Sequence, residues 1–338
     1  MKNFISIIIV NFNGRKWLTR CFDSLNKQTY KNYEIILVDN ASKDSSVKFI
    51  KRNYPATKII VNKQNLGFAE GNNIGYKISK GDYILLLNND TYVEKDFLKN
   101  FVEAFEQIPN LASVQSKIVL MDNPNKLDMA GAYWTDLSFL YYFGYGKNAN
   151  LSKYNKPMPF FSNKGASMMI KREIIENIGL FDKDFFNYYE ETDFCHRAWL
   201  AGYECWYWPK AVVHHAMGGT STEFDNAFIQ YHNFKNKLLS FLKNFEKKSL
   251  ITIIPIYLFV NFILSVFWLM QGKYRHFFLL YKAIWWNLTN FRRILKKRGT
   301  IQSYRKRTDK EIFRLTKTNP KLNYYIYLFN GNLNAYEN

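Results

Sequence analysis

Gly81-Asp82-Tyr83-Ile84-Leu85-Leu86-Leu87-Asn88-Asn89-Asp90 is an apolar run that stops abruptly in two amides and a carboxylate. Residues 83–87 have the length and composition of a strand buried on both faces, so Asn88, Asn89 and Asp90 emerge together at its carboxyl end. In open α/β sheets ligands bind in the crevice at that end. A carboxylate on a strand tip, with oxygen-bearing neighbours, suits a hard divalent cation that keeps waters and binds a substrate's phosphates. The competing reading is a polar turn after a buried strand, and these ten residues alone do not separate the two.

The flanking sequence repeats the pattern. Residues 5–10 (Ile-Ser-Ile-Ile-Ile-Val) end in Asn11-Phe12-Asn13-Gly14, and residues 15–28 follow as an amphipathic helix with Trp17, Leu18, Cys21 and Leu25 on one face. Residues 33–38 end in Asp39-Asn40-Ala41-Ser42 before a helix starting near Lys43. Residues 58–61 form a third strand, residues 65–73 lead into a helix reaching Ser79, and residues 96–107 form a fourth helix. Strands alternating with helices of about a dozen residues predict an α/β fold with a mostly parallel, Rossmann-like sheet and right-handed crossovers. Asn11, Asp39, Asn65 and Asp90 then share one sheet edge.

Charge divides the 338 residues. The formal net charge is +19, of which residues 1–234 carry +3 and residues 235–338 carry +16. The first segment reads as the catalytic domain and the second as a basic, apolar helical tail. Cys21, Cys195 and Cys205 are an odd number without metal-like spacing, so a reducing compartment is expected rather than a disulfide framework. Met1-Lys2-Asn3-Phe4 runs straight into a strand pattern, so no signal peptide is expected. No Gly-x-x-x-x-Gly-Lys loop and no Gly-x-Gly-x-x-Gly occurs, which disfavours P-loop and dinucleotide chemistry.

Val38-Asp39-Asn40-Ala41-Ser42-Lys43-Asp44-Ser45-Ser46, Asn65-Leu66-Gly67-Phe68-Ala69-Glu70-Gly71-Asn72-Asn73 and Leu87-Asn88-Asn89-Asp90, in that order, resemble the nucleotide-sugar motifs of glycosyltransferase family 2. The resemblance spans roughly residues 5–245 and implies the GT-A (nucleotide-diphospho-sugar transferase) fold. The Asn-Leu-Gly-Phe-Ala segment is most similar to the bacterial rhamnosyltransferase branch. The implied donor-binding residues are Asn11, Asp39, Asn40, Asn65, Gly67, Asn72, Asn73, Asn89 and Gly165. Asp39 is able to accept from the N3–H of uracil or thymine, and the resemblance implies that base-reading role; a helix-capping Asp is the alternative, although Asp44 or Ser42 could supply that cap. Gly67 and Gly71 allow close backbone approach to a sugar or diphosphate, or Gly67 merely terminates a turn. The family's usual Asp-x-Asp motif has lost its first acid to Asn88, so Asp90 carries most of the ligand charge and affinity for Mg²⁺ or Mn²⁺ should be modest.

Residues 111–161 lose the alternating pattern. Their aromatic stretches, 131–134 and 137–145, suit an acceptor-facing rim or a plain hydrophobic cluster. A loop from Phe160 feeds another apolar strand, with Gly165 near the donor sugar in family terms, and residues 173–178 form a short helix closed by Gly179. Tyr188-Tyr189-Glu190-Glu191-Thr192-Asp193-Phe194-Cys195-His196-Arg197 then crowds three acids, of which at least one should have a raised pKa unless a cation lies nearby. The cluster resembles the family's Glu-Asp-x-Asp motif, whose second acid is the general base. By position that acid is Glu191, with Glu190 the runner-up and Asp193 the third candidate. Helix-dipole stabilisation and an i,i+4 pair between Asp193 and Arg197 are the structural alternatives. A His after the short strand at residues 209–213 matches the family's metal- or diphosphate-contacting residue, and counting from Pro209 favours His215 over His214. Gly218-Gly219 would let the next loop close over the donor.

Residues 250–270 contain no charged side chain, long enough for one bilayer span. Residues 273–307 contain 11 Lys and Arg and no acid. A single span would place that block across the membrane from a cytosolic catalytic domain, against the positive-inside bias. Pro255 and a second apolar run at residues 277–288 fit a re-entrant hairpin or interfacial helices better. Nucleic acid is disfavoured as a partner because such a tail needs no large apolar surface. The expectation is a peripheral or monotopic enzyme on the cytoplasmic face of the bacterial plasma membrane, bound to anionic lipid. It would be an inverting, metal-dependent transferase moving one sugar, rhamnose by the resemblance, from a dTDP- or UDP-linked donor to a lipid-linked or cell-surface glycan. No Gln-x-x-Arg-Trp follows the acidic cluster, which favours single addition over processive synthesis. The alternatives are a nucleotidyltransferase, which lacks its basic Gly-rich loop here, and a membrane-bound glycan-binding scaffold with a degenerate site. The oligomeric state is left open.

Overall fold

The computed structural model describes residues 3–216 and 226–325. The first half of the fold is Ile5–Asn11 (β1), Arg15–Asn26 (α1), Tyr33–Asp39 (β2), Ser46–Asn53 (α2), Lys58–Val61 (β3), Gly67–Ile78 (α3) and Tyr83–Leu87 (β4). Alternation along each strand feeds two cores. Ile8, Ile36, Val38, Ile84 and Leu86 point to one face, while Ile7, Ile9, Leu37, Leu85 and Leu87 point to the other. Burial on both faces explains the nearly unbroken apolar composition of these strands. The second helix begins at Ser46 rather than near Lys43. Asp44 accepts from the Arg15 and Ser46 amides, and Ser45 is left-handed at φ 62°, so residues 43–45 serve as a turn.

Next come Thr91–Val93 (β5), Phe97–Gln107 (α4), Leu111–Leu120 (β6), Leu127–Met129 (β7), Gly131–Trp134 (β8), Leu140–Phe143 (β9), Met158–Pro159 (β10), Ser167–Lys171 (β11), Arg172–Ile178 (α5), Glu190–Leu200 (α6) and Glu204–His215 (β12). The main sheet runs β10-β12-β6-β11-β4-β1-β2-β3, with β5 on β12 and β7 on β6. β4, β1, β2 and β3 are parallel, as are β6 and β12, whereas β11 is antiparallel between β4 and β6. Asn11 and Asp39 are register partners at the carboxyl edge.

The region whose pattern had loosened contains the buried ten-residue strand β6. Its polar side chains all find partners. Ser116 bonds Ser167, Gln115 donates to the Met129 carbonyl, and Lys117 donates to the Ala149 carbonyl and Asn155. Of the two readings for the aromatic stretches, the hydrophobic cluster is what forms: Trp134 on the β8–β9 hairpin packs against Phe161, Phe241, Phe245 and Phe313. All three cysteines are buried and free.

The remaining described helices are Asn226–Asn244 (α7), Lys247–Met270 (α8), Tyr274–Thr289 (α9), Phe291–Ser303 (α10) and Asp309–Thr316 (α11). One hydrophobic cluster continues across residue 234, joining Trp134, Phe161 and Phe194 to Phe241, Phe245, Tyr257, Ile294, Ile301 and Ile312. α8 runs unbroken through Pro255. Its buried side chains are Ile253, Tyr257, Asn261, Ser265 and Trp268, a single stripe that includes the polar Asn261 and Ser265. Phe259, Phe262, Ile263 and Met270 are exposed, as are Phe278, Trp285 and Leu288 on α9.

Candidate active site

β5 pairs with β12 so that Thr91 faces His215, which brings the imidazole to the tip of β4. His215 Nε2 lies 3.4 Å from Asp90 Oδ1 and 3.4 Å from Asn88 Nδ2. A third side chain completes this corner: Asp128 on β7, whose Oδ2 is 2.6 Å from His215 Nδ1. Lys164 Nζ in turn meets both Asp128 oxygens at 2.6 and 2.7 Å. Asp90 is therefore not the only carboxylate in contact with His215. Asp128 arrives from a strand that no local motif announced. His214, one residue earlier, points to the opposite face, stacked on Tyr92 with its Nε2 2.7 Å from Glu94.

Electrostatics separate the two acids. Burial pushes Asp128 upward, but the Lys164 ammonium and the His215 contact outweigh it and hold the carboxyl well below its usual range. Burial also opposes ionisation of Asp90, and contact with His215 again wins. Burial lowers and the two carboxylates raise the His215 imidazole, with a net rise. Asp90 Oδ1 is buried and accepts no hydrogen bond. An orphaned carboxylate oxygen facing an imidazole nitrogen fits a divalent cation. Among the described residues no group of three or more His, Cys, Asp or Glu is arranged to hold a metal. Asp90 and His215 would thus be a two-ligand set, completed by water and substrate oxygens.

Along the neighbouring edge, Asn89 Nδ2 donates to Asn11 Oδ1 at 2.8 Å and Asn11 Nδ2 donates to Asp39 Oδ1 at 2.9 Å. Asp39 is fully buried. Its Oδ1 also accepts from the Ser42 hydroxyl and its Oδ2 from the Ser42 amide, which leaves one lone pair, on Oδ2. The Ser46 amide that opens α2 donates to Asp44, whereas the partners of Asp39 are Asn11 and Ser42, so Asp39 does not serve that helix end. Asn40 bridges the Gly67 carbonyl and Asn62, and Asn65 Oδ1 accepts from the Gly67 amide.

Two donor candidates are spent elsewhere. Asn73 donates to the Phe181 carbonyl and accepts from the Phe181 amide, pinning the chain after α5. Gly67 sits at φ +78°, and an added Cβ would lie 2.2 Å from the Phe186 carbonyl oxygen, so its close approach is to this protein's own loop. Asn72 donates to the Phe68 carbonyl and leaves a buried, unpartnered Oδ1.

The three acids of α6 take different states. Asp193 accepts from Arg197 Nε at 2.9 Å and Asn244 at 2.9 Å, with Lys243 Nζ at 3.2 Å. Burial opposes its charge, but Lys243 and Arg197 keep the carboxyl below its usual range. Burial drives Glu190 well above the usual range, with the Glu191 charge adding to the effect. Burial also raises Glu191, partly offset by backbone amides of its own turn and of Gly165. Each glutamate has a buried Oε2 without a hydrogen-bond partner. Glu191 keeps partial exposure, and an added Cβ on Gly165 would lie 3.8 Å from its Cβ.

The loop entering α6 is held from outside. Phe186, Tyr188 and Tyr189 have φ of 62°, 71° and 74°. Asn236 of α7 donates to the carbonyls of Phe185, Asn187 and Tyr188 at 3.0, 2.9 and 2.6 Å. The Gly218–Gly219 pair expected to serve a lid lies outside the described residues.

Residues 6–179 match the model of Glycosyl transferase family 2, just over half of the chain. The chain belongs to glycosyl transferase family 2. Among family 2 relatives, a dolichyl N-acetyl-alpha-D-glucosaminyl phosphate 3-beta-D-2,3-diacetamido-2,3-dideoxy-beta-D-glucuronosyltransferase of Methanococcus voltae is 35% identical over 54% of this chain and 58% of its own length. The low-salt glycan biosynthesis hexosyltransferase Agl10 of Haloferax volcanii is 24% identical over 73% of this chain and 78% of its own. The fold is GT-A. The mannosyltransferase PcManGT from Pyrobaculum calidifontis, solved with GDP-Man and Mn²⁺, aligns with TM-score 0.52 at 14% identity over 89% of this chain and 85% of its own. GalNAc-T7, solved with UDP, GalNAc and Mn²⁺, aligns with TM-score 0.57 at 19% identity over 72% of this chain and 48% of its own.

Asp128, Lys164 and Asn236 escaped the reading of the sequence. Lys164 adjoins Gly165, which offered a weak signal; Asp128 and Asn236 sit in stretches with none.

Proposed function

We propose that this family 2 enzyme moves one sugar from a nucleoside-diphosphate sugar to a hydroxyl of a lipid-linked or cell-surface glycan, with inversion at the anomeric carbon. The observation that carries this reading is the split within the acidic cluster. Asp193 is ionised and paired, while Glu190 and Glu191 keep unpartnered oxygens and raised pKa values. Glu191, the more accessible of the two, takes the proton of the acceptor hydroxyl as it attacks in line, and a raised pKa makes it the stronger base. Glu190 behind it stays protonated, which spares the base a second buried charge. Asp90 and His215 would hold Mg²⁺ or Mn²⁺, which when bound would supply positive charge against the departing diphosphate. Asn11, Asn89 and Asp39 organise the nucleotide end, and the lone pair left on Asp39 Oδ2 suits the N3–H of uracil or thymine. A dTDP- or UDP-linked donor follows from that chemistry, and rhamnose rests on the resemblance of residues 65–69.

The tail supports a membrane-proximal acceptor. Among the described residues α8 alone is long and apolar enough to cross a membrane. Antiparallel α9 carries a further exposed apolar surface. The Methanococcus relative is named for a dolichyl-phosphate-linked acceptor.

Glu191→Gln tests the reading. Donor affinity by calorimetry should be retained and kcat should fall roughly 10²–10⁴-fold. Wild-type turnover in the variant would move the base to Glu190. A wild-type protein whose melting temperature no nucleotide sugar raises, with or without Mn²⁺, would favour the scaffold reading.

A further inference from the structure

We propose that Asp128, clamped by Lys164, fixes the tautomer of His215 and aims its Nε2 at the cation position beside Asp90, which makes Asp128 a positioning residue for this site. The inference rests on the reading of Asp90 and His215 as cation ligands.

The geometry leaves few options. Asp128 is 1% exposed, and a buried carboxylate without partners is costly. Lys164 covers both oxygens. An ionised carboxylate only accepts hydrogen bonds, so the 2.6 Å contact between Asp128 Oδ2 and His215 Nδ1 requires the proton to sit on Nδ1. In the neutral ring the lone pair is then on Nε2. That atom faces Asn88 Nδ2, a donor, and Asp90 Oδ1, which has no hydrogen-bond partner. Metal-bound histidines are commonly oriented by a carboxylate on the opposite ring nitrogen, and loss of that partner costs 10–100-fold in metal affinity.

The neighbours also fix the consequence of Asp128→Asn. The amide has a single oxygen, and the Lys164 ammonium, which offers only donors, claims it. The amide nitrogen must then face His215 Nδ1 and donate to it, which moves the ring proton to Nε2. The nitrogen aimed at Asp90 would become a donor, useless to a cation. A merely structural salt bridge between Asp128 and Lys164 predicts no tautomer change.

Full-length protein labelled with ¹⁵N-histidine, free of metal and at a pH where the ring is neutral, reads the tautomer from the imidazole nitrogen shifts, with His215→Gln assigning the signal. Wild type should show the Nδ1–H form and Asp128→Asn the Nε2–H form. Mn²⁺ titrated alone and followed by electron paramagnetic resonance should bind Asp128→Asn about 10–100-fold more weakly than wild type. In a His215→Ala background the same substitution should change Mn²⁺ affinity by less than about twofold, a comparison that holds even if Asp128→Asn loosens the fold. An Nε2–H ring in wild type, or Asp128→Asn binding Mn²⁺ like wild type, overturns the proposal. If His215→Ala and wild type bind Mn²⁺ equally, the cation-ligand reading fails, and the tautomer result still decides what Asp128 does to the ring.

Discussion

Lys297 Nζ lies 2.6 Å from Asp182 Oδ1 and 2.5 Å from Asp184 Oδ2, so a lysine of the basic tail is spent on the catalytic unit. Arg293 reaches Asp184 at 3.0 Å, and Arg298 donates to the Leu242 carbonyl at 2.8 Å. Of the five clustered cations Arg292, Arg293, Lys296, Lys297 and Arg298, those three have partners in the protein, whereas Arg292 and Lys296 are exposed on α10.

The two groups of cations should therefore respond differently to substitution. Arg292→Gln with Lys296→Gln should weaken binding to anionic vesicles by about 2 kcal/mol, roughly 30-fold, and leave the melting temperature unchanged. Lys297→Gln should instead lower stability by about 2–3 kcal/mol, because two part-buried carboxylates lose a charged donor. Vesicle co-sedimentation and calorimetry on both variants separate the effects; identical vesicle binding by wild type and the double variant would assign lipid attachment to the apolar hairpin.

Asp90→Asn should abolish the Mn²⁺ dependence of donor binding while the fold persists. Asp128 cannot substitute, since Lys164 and His215 already occupy it. Calorimetry of donor binding with and without Mn²⁺ checks this, and an unchanged metal dependence would remove Asp90 from the site.

Acid should destabilise the protein through two buried histidines. Burial among Phe161 and Phe245 lowers His196 to about 3, and burial beside Phe186 and Lys235 lowers His232 to about 4. Both folded values lie below the unfolded value near 6.5, so the unfolded chain binds more protons in between. This contribution is full above pH 6.5 and is lost as pH falls toward 4, by up to about 1.4 kcal/mol per pH unit for each histidine. His196→Phe should flatten the fall in melting temperature from pH 6.5 to 4.5; an unchanged slope would place the acid sensitivity elsewhere.

Ending the chain at Asn244 should cost stability as well as membrane attachment. Ile294, Ile301 and Ile312 of α10 and α11 share a cluster with Trp134 and Phe245, and Gln302 donates to the carbonyls of Lys243 and Asn244. The shortened protein should melt well below the full chain and lose turnover even on a short soluble acceptor. Full activity on that acceptor would show that the tail serves only as an anchor.

What was legible in the sequence follows from which forces are local. β1, β2 and β4 are buried on both faces by helices their own crossovers supply, so composition and period reveal them. β6 carries Ser113, Gln115, Ser116 and Lys117 because its partners arrive from β7, β11 and residues 149–163, and no local pattern records a satisfied polar core. His215 separates from His214 because successive strand residues face opposite ways. Asp128 reaches the site through the pairing of β7 with β6, a long-range fact. Asn73 and Gly67 belong to recognisable motifs, yet the loop at residues 181–186 claims both. The net charge of the tail was plain, whereas the pairing of Lys297 and Arg293 with Asp182 and Asp184 depended on which face of α10 meets the domain.

Asn236 ties these parts together. Three non-glycine residues with positive φ cost on the order of 1–3 kcal/mol each, and one amide on α7 gathers the carbonyls around them. α7 is itself gripped from the apolar hairpin, where Tyr257 donates to the Phe234 carbonyl and Asn287 to the Lys235 carbonyl. Extraction with a detergent that slips between α9 and α7 would thus relax the turn that aims Glu191. With the apolar helices in a bilayer, as proposed above, turnover measured in micelles would report the amphiphile's grip on two helices as much as the chemistry at the sugar, and nanodiscs would be the proper vessel for kinetics.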